Sequence, residues 1–449
     1  MGNTNKSSQP ESKLKQKLTL FDMTMIAIGS TIGSGIFLTP SIIAKALPSP
    51  KWIILVWIVG GLLSLSGALT FSELGAMMPR AGGVYVYLSR AYGGLVGFLY
   101  GWAYFLVVNT GGIAALAVAF STYFAYFVPL SSVGIRTFAI CGILLVTVIN
   151  VLGVKYGAIF SDLFTVLKLL GIAGVVIIGI GWGSVRTTDF SAPLPHLPHG
   201  LGSALALAMV GVLWSTGGWQ HATFTAGEAK DAKRTLPVAM ILGTIAVTVI
   251  YFLTNIAYMF LLSPSRIAAS ERVAADAVQV VLGSFGGTII SLAIFISAFG
   301  TTGIYTLTAP RIYYAMASDG LFFRKVAEVH PKCHTPAFAI IFQSVWAIVL
   351  ILFWGTFENL ISYVVFTDWI FFGLTAASIF IFRRRLPDAE RPYRTLGYPL
   401  TPLFFIAISA WFVLNTLVEK PAQAWAGIGF LLLGVAVYCF WKNKSKGRQ

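Results

Sequence analysis

Charge is what this sequence has least of. Only 10% of its 449 residues are Asp, Glu, Lys or Arg, against roughly 25% in a soluble domain. A chain this long with so few charges cannot wet a water-facing surface, which excludes a soluble globular protein. Cysteine is also scarce. Cys141 and Cys439 sit in apolar runs and Cys333 in a loop, so no disulfide framework is implied. The five histidines (196, 199, 221, 330 and 334) show no paired metal spacing. No nucleophile elbow, phosphate loop or metal-binding helix motif is present. Neither an enzyme, a metal site nor a cofactor is expected. No cleavable signal peptide is read at the N-terminus, because the first apolar run is too long and many more follow it.

What the sequence does have is apolar residues, 57% of the chain, and 45 glycines; mean hydropathy is +0.81. Abundant glycine suits close helix–helix contact in a bilayer. The net charge of +15 raises the possibility of nucleic acid as a partner. The positive residues, however, lie in short loops between apolar runs, where they set membrane orientation. The lipid bilayer is therefore the expected partner, and nucleic acid is not.

Apolar runs of about 20 residues read as spanning helices. About twelve are found on that criterion, near 19–47, 52–78, 94–127, 134–153, 158–183, 203–228, 235–262, 286–318, 336–355, 358–382, 399–418 and 422–441. With the N-terminus placed in the cytoplasm, 23 of the 31 Lys and Arg fall on the cytoplasmic side and 7 on the other. That asymmetry predicts both termini to be cytoplasmic. One cation, Lys168, is left inside a span. The chain thus divides into a tail at 1–18, one membrane domain at 19–441 and a second tail at 442–449.

Two of the spans are interrupted. Span 1 carries Gly33-Ser34-Gly35 in mid-run, and span 6 carries Ser215-Thr216-Gly217-Gly218 in the same relative place. Spans 1 and 6 each open a group of five, and five is odd, so the second group (203–382) is inverted relative to the first (19–183). Spans at 399–441 stand outside the repeat. Paired interruptions in inverted halves point to a transporter's midplane site. The half-helix starting near Ile36 offers free N–H donors and a partial positive charge, which suits a carboxylate. The carbonyls just before the break, near Thr31 and Ile32, suit an ammonium group. Two such breaks side by side would hold a zwitterion without any charged side chain.

Five other residues call for a reading. Trp214 beside the second break reads as an aromatic gate, and Trp219 as packing. Lys168 lies near the bilayer centre, where a cation costs about 2.5–3.5 kcal/mol and is a functional candidate by default. Asp162 on the same span reads as a helix cap. Glu228, in the run Gly227-Glu228-Ala229-Lys230-Asp231, reads equally as a solvated loop or as a cytoplasmic gate and helix anchor.

Several motifs together resemble the amino acid–polyamine–organocation superfamily, and within it the L-type amino acid transporter branch. They are Ile28-Gly29 through Gly33-Ser34-Gly35-Ile36-Phe37; Glu73-Leu74-Gly75 through Pro79-Arg80-Ala81-Gly82-Gly83-Val84-Tyr85; Thr216-Gly217-Gly218-Trp219; Gly227-Glu228 through Arg234-Thr235-Leu236-Pro237; and Arg311-Ile312-Tyr313-Tyr314-Ala315-Met316-Ala317-Ser318-Asp319-Gly320. The resemblance covers almost the whole chain. It implies an all-α integral membrane fold of the leucine-transporter type: five plus five helices in inverted repeat, two more, and helices 1 and 6 unwound at the midplane.

The resemblance also implies a site. The substrate amine would meet carbonyls at Thr31, Trp214 and Gly217, and the carboxylate would meet Ser34 and Gly35. Ile32, Gly33, Ile36 and Ser215 complete the two interruptions. Trp214 is the gating aromatic, and Tyr251 is a further candidate beside the substrate. Lys168 would replace the second sodium ion, held by the carbonyl of Gly29 and the hydroxyl of Ser297. Animal members of the branch link to a single-span heavy chain through a Cys between helices 3 and 4. No Cys lies between Phe127 and Arg136, so no heavy-chain partner is expected. The chain is similar to bacterial exchangers of the alanine–serine–cysteine and serine–threonine classes. The expected activity is sodium-independent exchange of small neutral amino acids across the plasma membrane, with proton-coupled symport as the alternative.

Overall fold

A computed structural model describes residues 14–183, 188–190, 194, 197, 200–353, 357–419 and 421–446. Of residues 354–365 no side chain is described. The tail up to residue 13, Arg186, His196, His199, Lys420 and residues 447–449 lie outside this set.

The described chain is helical. Its helices are α1 (Leu20–Thr31), α2 (Gly35–Ala46), α3 (Pro50–Met77) and α4 (Val84–Tyr92), then α5 (Gly94–Phe124). There follow α6 (Ser132–Leu152), α7 (Val154–Trp182), α8 (Gly200–Thr216), α9 (His221–Phe224), α10 (Ala232–Leu261) and α11 (Pro264–Ala269). The last are α12 (Val273–Thr308), α13 (Pro310–Ser318), α14 (Ala337–Phe353), α15 (Phe357–Arg385), α16 (Leu400–Glu419) and α17 (Pro421–Lys446).

Among the described residues nine helical segments are long and apolar enough to cross a membrane. Three shorter apolar helices, Gly200–Thr216, Ala337–Phe353 and Gly427–Asn443, accompany them. The expected spans overlap these segments, but that at 203–228 is helical only to Thr216 before the chain breaks.

Local chemistry sets the boundaries. Thr19 and Asp22 form a reciprocal capping box at the start of α1. The Ser131 hydroxyl accepts the Gly134 N–H to open α6. Proline stands at the start of α3, α11 and α13, where its missing N–H costs nothing. Within α5 the segment Tyr104–Val108 winds as a π-helix, and the Thr110 hydroxyl donates to the Phe105 carbonyl at 2.6 Å.

Burial separates an inner from an outer set of helices. α1, α2 and α8 are buried along most of their length. The outward faces of α6 and α7 carry exposed Leu144, Leu145, Val148, Ile159, Leu163, Leu170 and Ile177. In water such a belt would be a large apolar patch; in a bilayer it is the lipid-facing surface. Backbone polar groups inside that surface must be satisfied by the protein itself. The interruptions after α1 and α8 lie among the inner helices, whereas the kink at Gly283 of α12 (φ 60°) stands beside exposed Leu282 and Phe285.

Candidate functional site

The first interruption falls where the sequence places it. α1 stops at Thr31, Ile32 is extended, and α2 starts at Gly35. Ser34 precedes α2 but makes no capping bond, and its buried Oγ has no hydrogen-bond partner among the described residues. The first N–H groups of a helix have no intrahelical acceptor. An unpartnered hydroxyl thus sits beside unpartnered amides and the positive end of α2, as an anion site requires.

The second interruption runs from Gly217 to Gln220, and its second half differs from expectation. Beyond it the chain forms only the short α9 and one turn of 3-10 helix at Ala226–Glu228, not a continuous half-helix to residue 228. Gly218 has φ +123°, open to glycine but not to residues with a Cβ. A Cβ there would also strike the Ser30 carbonyl and Thr31 Cα. The Gly218 N–H, which a continuous helix would commit to Trp214, donates to Gln220 Oε1 at 2.8 Å.

The breaks touch. The Ser30 hydroxyl donates to the Gly218 carbonyl at 2.8 Å, and the Thr39 and Ser215 hydroxyls share a hydrogen bond of 2.8 Å. A Cβ on Gly35 would lie 2.9 Å from Ser215 Cα. Tyr251, on α10, donates to the Thr31 carbonyl at 3.1 Å. Thr31, Ser34, Gly35, Ile36, Ser215 and Tyr251 are therefore assembled in one place. Gly33 packs instead toward Leu116 and Thr301.

Lys168 sits at the middle of the 29-residue α7, fully buried. Its Nζ donates to the carbonyls of Gly29 at 2.9 Å and Ile32 at 2.6 Å, and to the Thr301 hydroxyl at 2.6 Å. All three donors are used without a carboxylate. Two expectations need correction. Ser297 is not the hydroxyl on Lys168: its Oγ donates to the Gly33 carbonyl at 2.9 Å, and Thr301, one turn further along α12, takes that place. Ile32 does not offer its carbonyl to a substrate amine, because the Lys168 ammonium already donates to it at 2.6 Å and the Thr301 hydroxyl lies 2.9 Å away. The Thr31 carbonyl, a third expected acceptor, is used by Tyr251 and by the Gly33 N–H at 3.1 Å. A carbonyl has two lone pairs, so that of Thr31 is saturated and that of Ile32 holds a charged donor. The amine's acceptors are then left to the broken end of α8.

A cavity of about 30 Å³ lies at that end, with Trp214, Gly217, Gly218 and His221 on one side and Tyr104 and Asp368 on the other. That is room for a few waters at most, less than a whole amino acid occupies. The π-turn of α5 brings the Tyr104 hydroxyl to His221 Nε2 at 3.0 Å; Nδ1 meets the Thr308 hydroxyl at 2.6 Å. Trp214 lines the cavity and stays the gating candidate. Trp219 packs edge-on against Phe71 with ring centroids 5.0 Å apart, as read from sequence. Asp368, His221 and Thr301 were not foreseen. Asp368 had a signal: it is an acidic residue inside an apolar span.

A latch of ion pairs closes the end of the bundle that holds the N-terminal segment. Glu228 is not a solvated loop residue. It is fully buried and takes Arg311 in a fork, with Nε on Oε2 at 2.6 Å and Nη2 on Oε1 at 2.9 Å. Its backbone carbonyl accepts the Leu18 N–H at 2.9 Å, and Leu18 in turn accepts the Lys230 N–H at 2.8 Å. Glu73 accepts Arg383 Nη2 at 2.7 Å and the Thr395 N–H at 2.7 Å. The Gly82 N–H donates to the Phe224 carbonyl at 3.0 Å, seating the loop after α3 on α9. Asp162 is no cap: it is well inside α7, and its buried Oδ1 has no hydrogen-bond partner among the described residues.

Comparison with known proteins fits this geometry. The model of a family described as amino acid permease matches residues 18–438. The serine/threonine exchanger SteT of Bacillus subtilis is 31% identical over 439 residues, covering 97% of this chain and 99% of its own. The human large neutral amino acids transporter small subunit 2 is 31% identical over 449 residues, covering 96% and 82%. The mouse b(0,+)-type amino acid transporter 1 is 29% identical over 444 residues, covering 97% and 90%. The chain belongs to the amino acid permease family of the amino acid–polyamine–organocation superfamily, in its L-type branch, as a multi-pass membrane transporter of amino acids and not an enzyme.

Proposed function

We propose that this protein is a sodium-independent antiporter that exchanges small neutral L-amino acids, of the alanine, serine, cysteine and threonine class, across the plasma membrane by alternating access. The observation that carries the reading is the pair of touching helix breaks, with the orphaned Ser34 hydroxyl and the amide end of α2 on one side and the carbonyl end of α8 on the other. A carboxylate at Ser34, Gly35 and Ile36 and an ammonium at Trp214 and Gly217 match those polarities. The bulky lining of that cavity, with Tyr104, Tyr305, Trp214, Trp369 and Phe372, supports small substrates. Sodium independence is supported by Lys168, whose ammonium occupies a ring of two carbonyls and one hydroxyl, the oxygen set a bound cation would use. SteT's name supports exchange of serine and threonine.

Alternating access would rock the two inverted groups of helices, 19–183 and 203–382, about this site, with Trp214 as gate. The latch formed by Glu228, Arg311, Glu73 and Arg383 must then open on one side only. By the distribution of Lys and Arg that side is cytoplasmic, with both termini there. With no Cys between Phe127 and Arg136, the chain works without a disulfide-linked heavy chain.

The test is uptake of labelled serine into proteoliposomes. Exchange requires unlabelled amino acid inside, and equal uptake into empty vesicles would exclude it. Proton-coupled symport is the second reading, favoured by one observation: Lys168 is buried with no carboxylate on it. An inward proton gradient accelerates net uptake only in that case.

A further inference from the structure

Asp368, on α15, is the one acidic side chain among the described residues that lines the cavity at the broken end of α8. It is only 9% exposed, and its Oδ1 has no hydrogen-bond partner among the described residues. The polar groups around it are committed elsewhere. Both ring nitrogens of His221 are bonded to the hydroxyls of Tyr104 and Thr308, and Gln220 Oε1 is held by the Gly218 N–H. The end of α8 adds carbonyl oxygens and the negative pole of the helix to the same space. The described residues thus place carbonyl oxygens and an unpartnered carboxylate oxygen on one small space.

A buried carboxylate without a counter-ion is costly, and the cost falls when an occupant brings the missing donor. A simple zwitterion does so only in part: its ammonium is shared with the carbonyl end of α8 and balanced by its own carboxylate, so the charge of Asp368 stays uncompensated. A second donor on the substrate's side chain closes the balance, an ammonium in charge and hydrogen bonding, a hydroxyl in hydrogen bonding alone. The small cavity confines that donor to a short side chain.

We infer that Asp368 determines specificity in this site, receiving a hydrogen-bond donor at the end of a short substrate side chain, so that the preferred substrates are short L-amino acids bearing a side-chain hydroxyl or ammonium. This rests on the transport reading above and narrows it: alanine becomes a poor member of the class, and short diamino acids join it.

The experiment is inhibition of labelled-serine exchange in proteoliposomes of the full chain by size-matched pairs. Serine is set against 2-aminobutyrate, and 2,4-diaminobutyrate against norvaline. In the wild type each donor-bearing member inhibits at a concentration at least about tenfold lower than its methyl-ended partner, the discrimination of a satisfied against an unsatisfied buried group. Asp368→Leu brings both ratios to within about twofold. Asp368→Asn, which keeps an acceptor and loses the charge, retains the serine preference and loses that for diaminobutyrate. Wild-type ratios near one, or ratios that persist in Asp368→Leu, overturn the assignment of Asp368 while leaving transport intact. Absence of any amino acid flux overturns the transport reading beneath it. Because the wild-type ratios decide by themselves, a poorly folding variant does not rescue the inference.

Discussion

Replacing Lys168 by alanine removes three hydrogen bonds at once, to Gly29, Ile32 and Thr301. Thr301 still lies 3.1 Å from the Gly29 carbonyl and 2.9 Å from that of Ile32, but one hydroxyl has one proton and serves one carbonyl at a time. One carbonyl at the break is left without its charged donor, at about 2–3 kcal/mol for such a bond. At tenfold per 1.4 kcal/mol, exchange falls roughly 30- to 150-fold. The substitution also relieves the cost of a buried cation, so the variant still folds. The assay is labelled-serine exchange in proteoliposomes, with size-exclusion profile and melting temperature in detergent as the folding control. Lys168→Arg does not restore flux, since a planar guanidinium does not fit a ring built for a compact ammonium. A folded Lys168→Ala protein exchanging within threefold of wild type refutes the reasoning.

Four further outcomes follow. Ser34→Ala raises KM for serine about tenfold, one hydrogen bond to a charged group, in initial-rate uptake; an unchanged KM removes Ser34 from the carboxylate site. Gly218→Ala, which places a Cβ on the Ser30 carbonyl at φ +123°, lowers melting temperature and flux together, and normal values for both contradict the packing of the two breaks. Glu228→Gln leaves Arg311 buried without its anion and costs about 3–5 kcal/mol, read as a lower melting temperature; the double variant Glu228→Gln/Arg311→Met recovers part of the loss, and no recovery contradicts the pairing. Replacing sodium by choline on both sides changes wild-type exchange less than twofold, whereas a steep loss removes Lys168 from the cation's place.

The helices were legible because a bilayer demands about 20 apolar residues of each, a strong and local signal. The first break was legible only together with the second: glycine also serves close helix packing, and what marked Gly33-Ser34-Gly35 was the matching interruption at Ser215-Thr216-Gly217-Gly218 in the inverted half. What lies after the second break was not legible. Residues 221–228 hold no proline to mark a helix end, while the backbone turns irregular there because α9 must seat the Gly82 N–H and Glu228 must reach Arg311. Ser297 and Thr301 stand four residues apart on one face of α12, so periodicity cannot say which meets Lys168; the depth of α12 against α7 decides it. Carbonyl occupancy was invisible as well. Nothing in Thr31 or Ile32 tells that Tyr251 and Lys168 come from elsewhere to take their oxygens. Glu228, by its alternating-charge surroundings, looked solvated, yet its partner lies 83 positions further on.

The central claim is that the two touching breaks hold both ends of a free amino acid. A structure determined with L-serine bound measures this directly. The account predicts the substrate carboxylate within about 3 Å of Ser34 Oγ and the amides of Gly35 and Ile36, with the ammonium at the carbonyl end of α8. A serine bound away from both breaks, or continuous helix through residues 32–34, would contradict it.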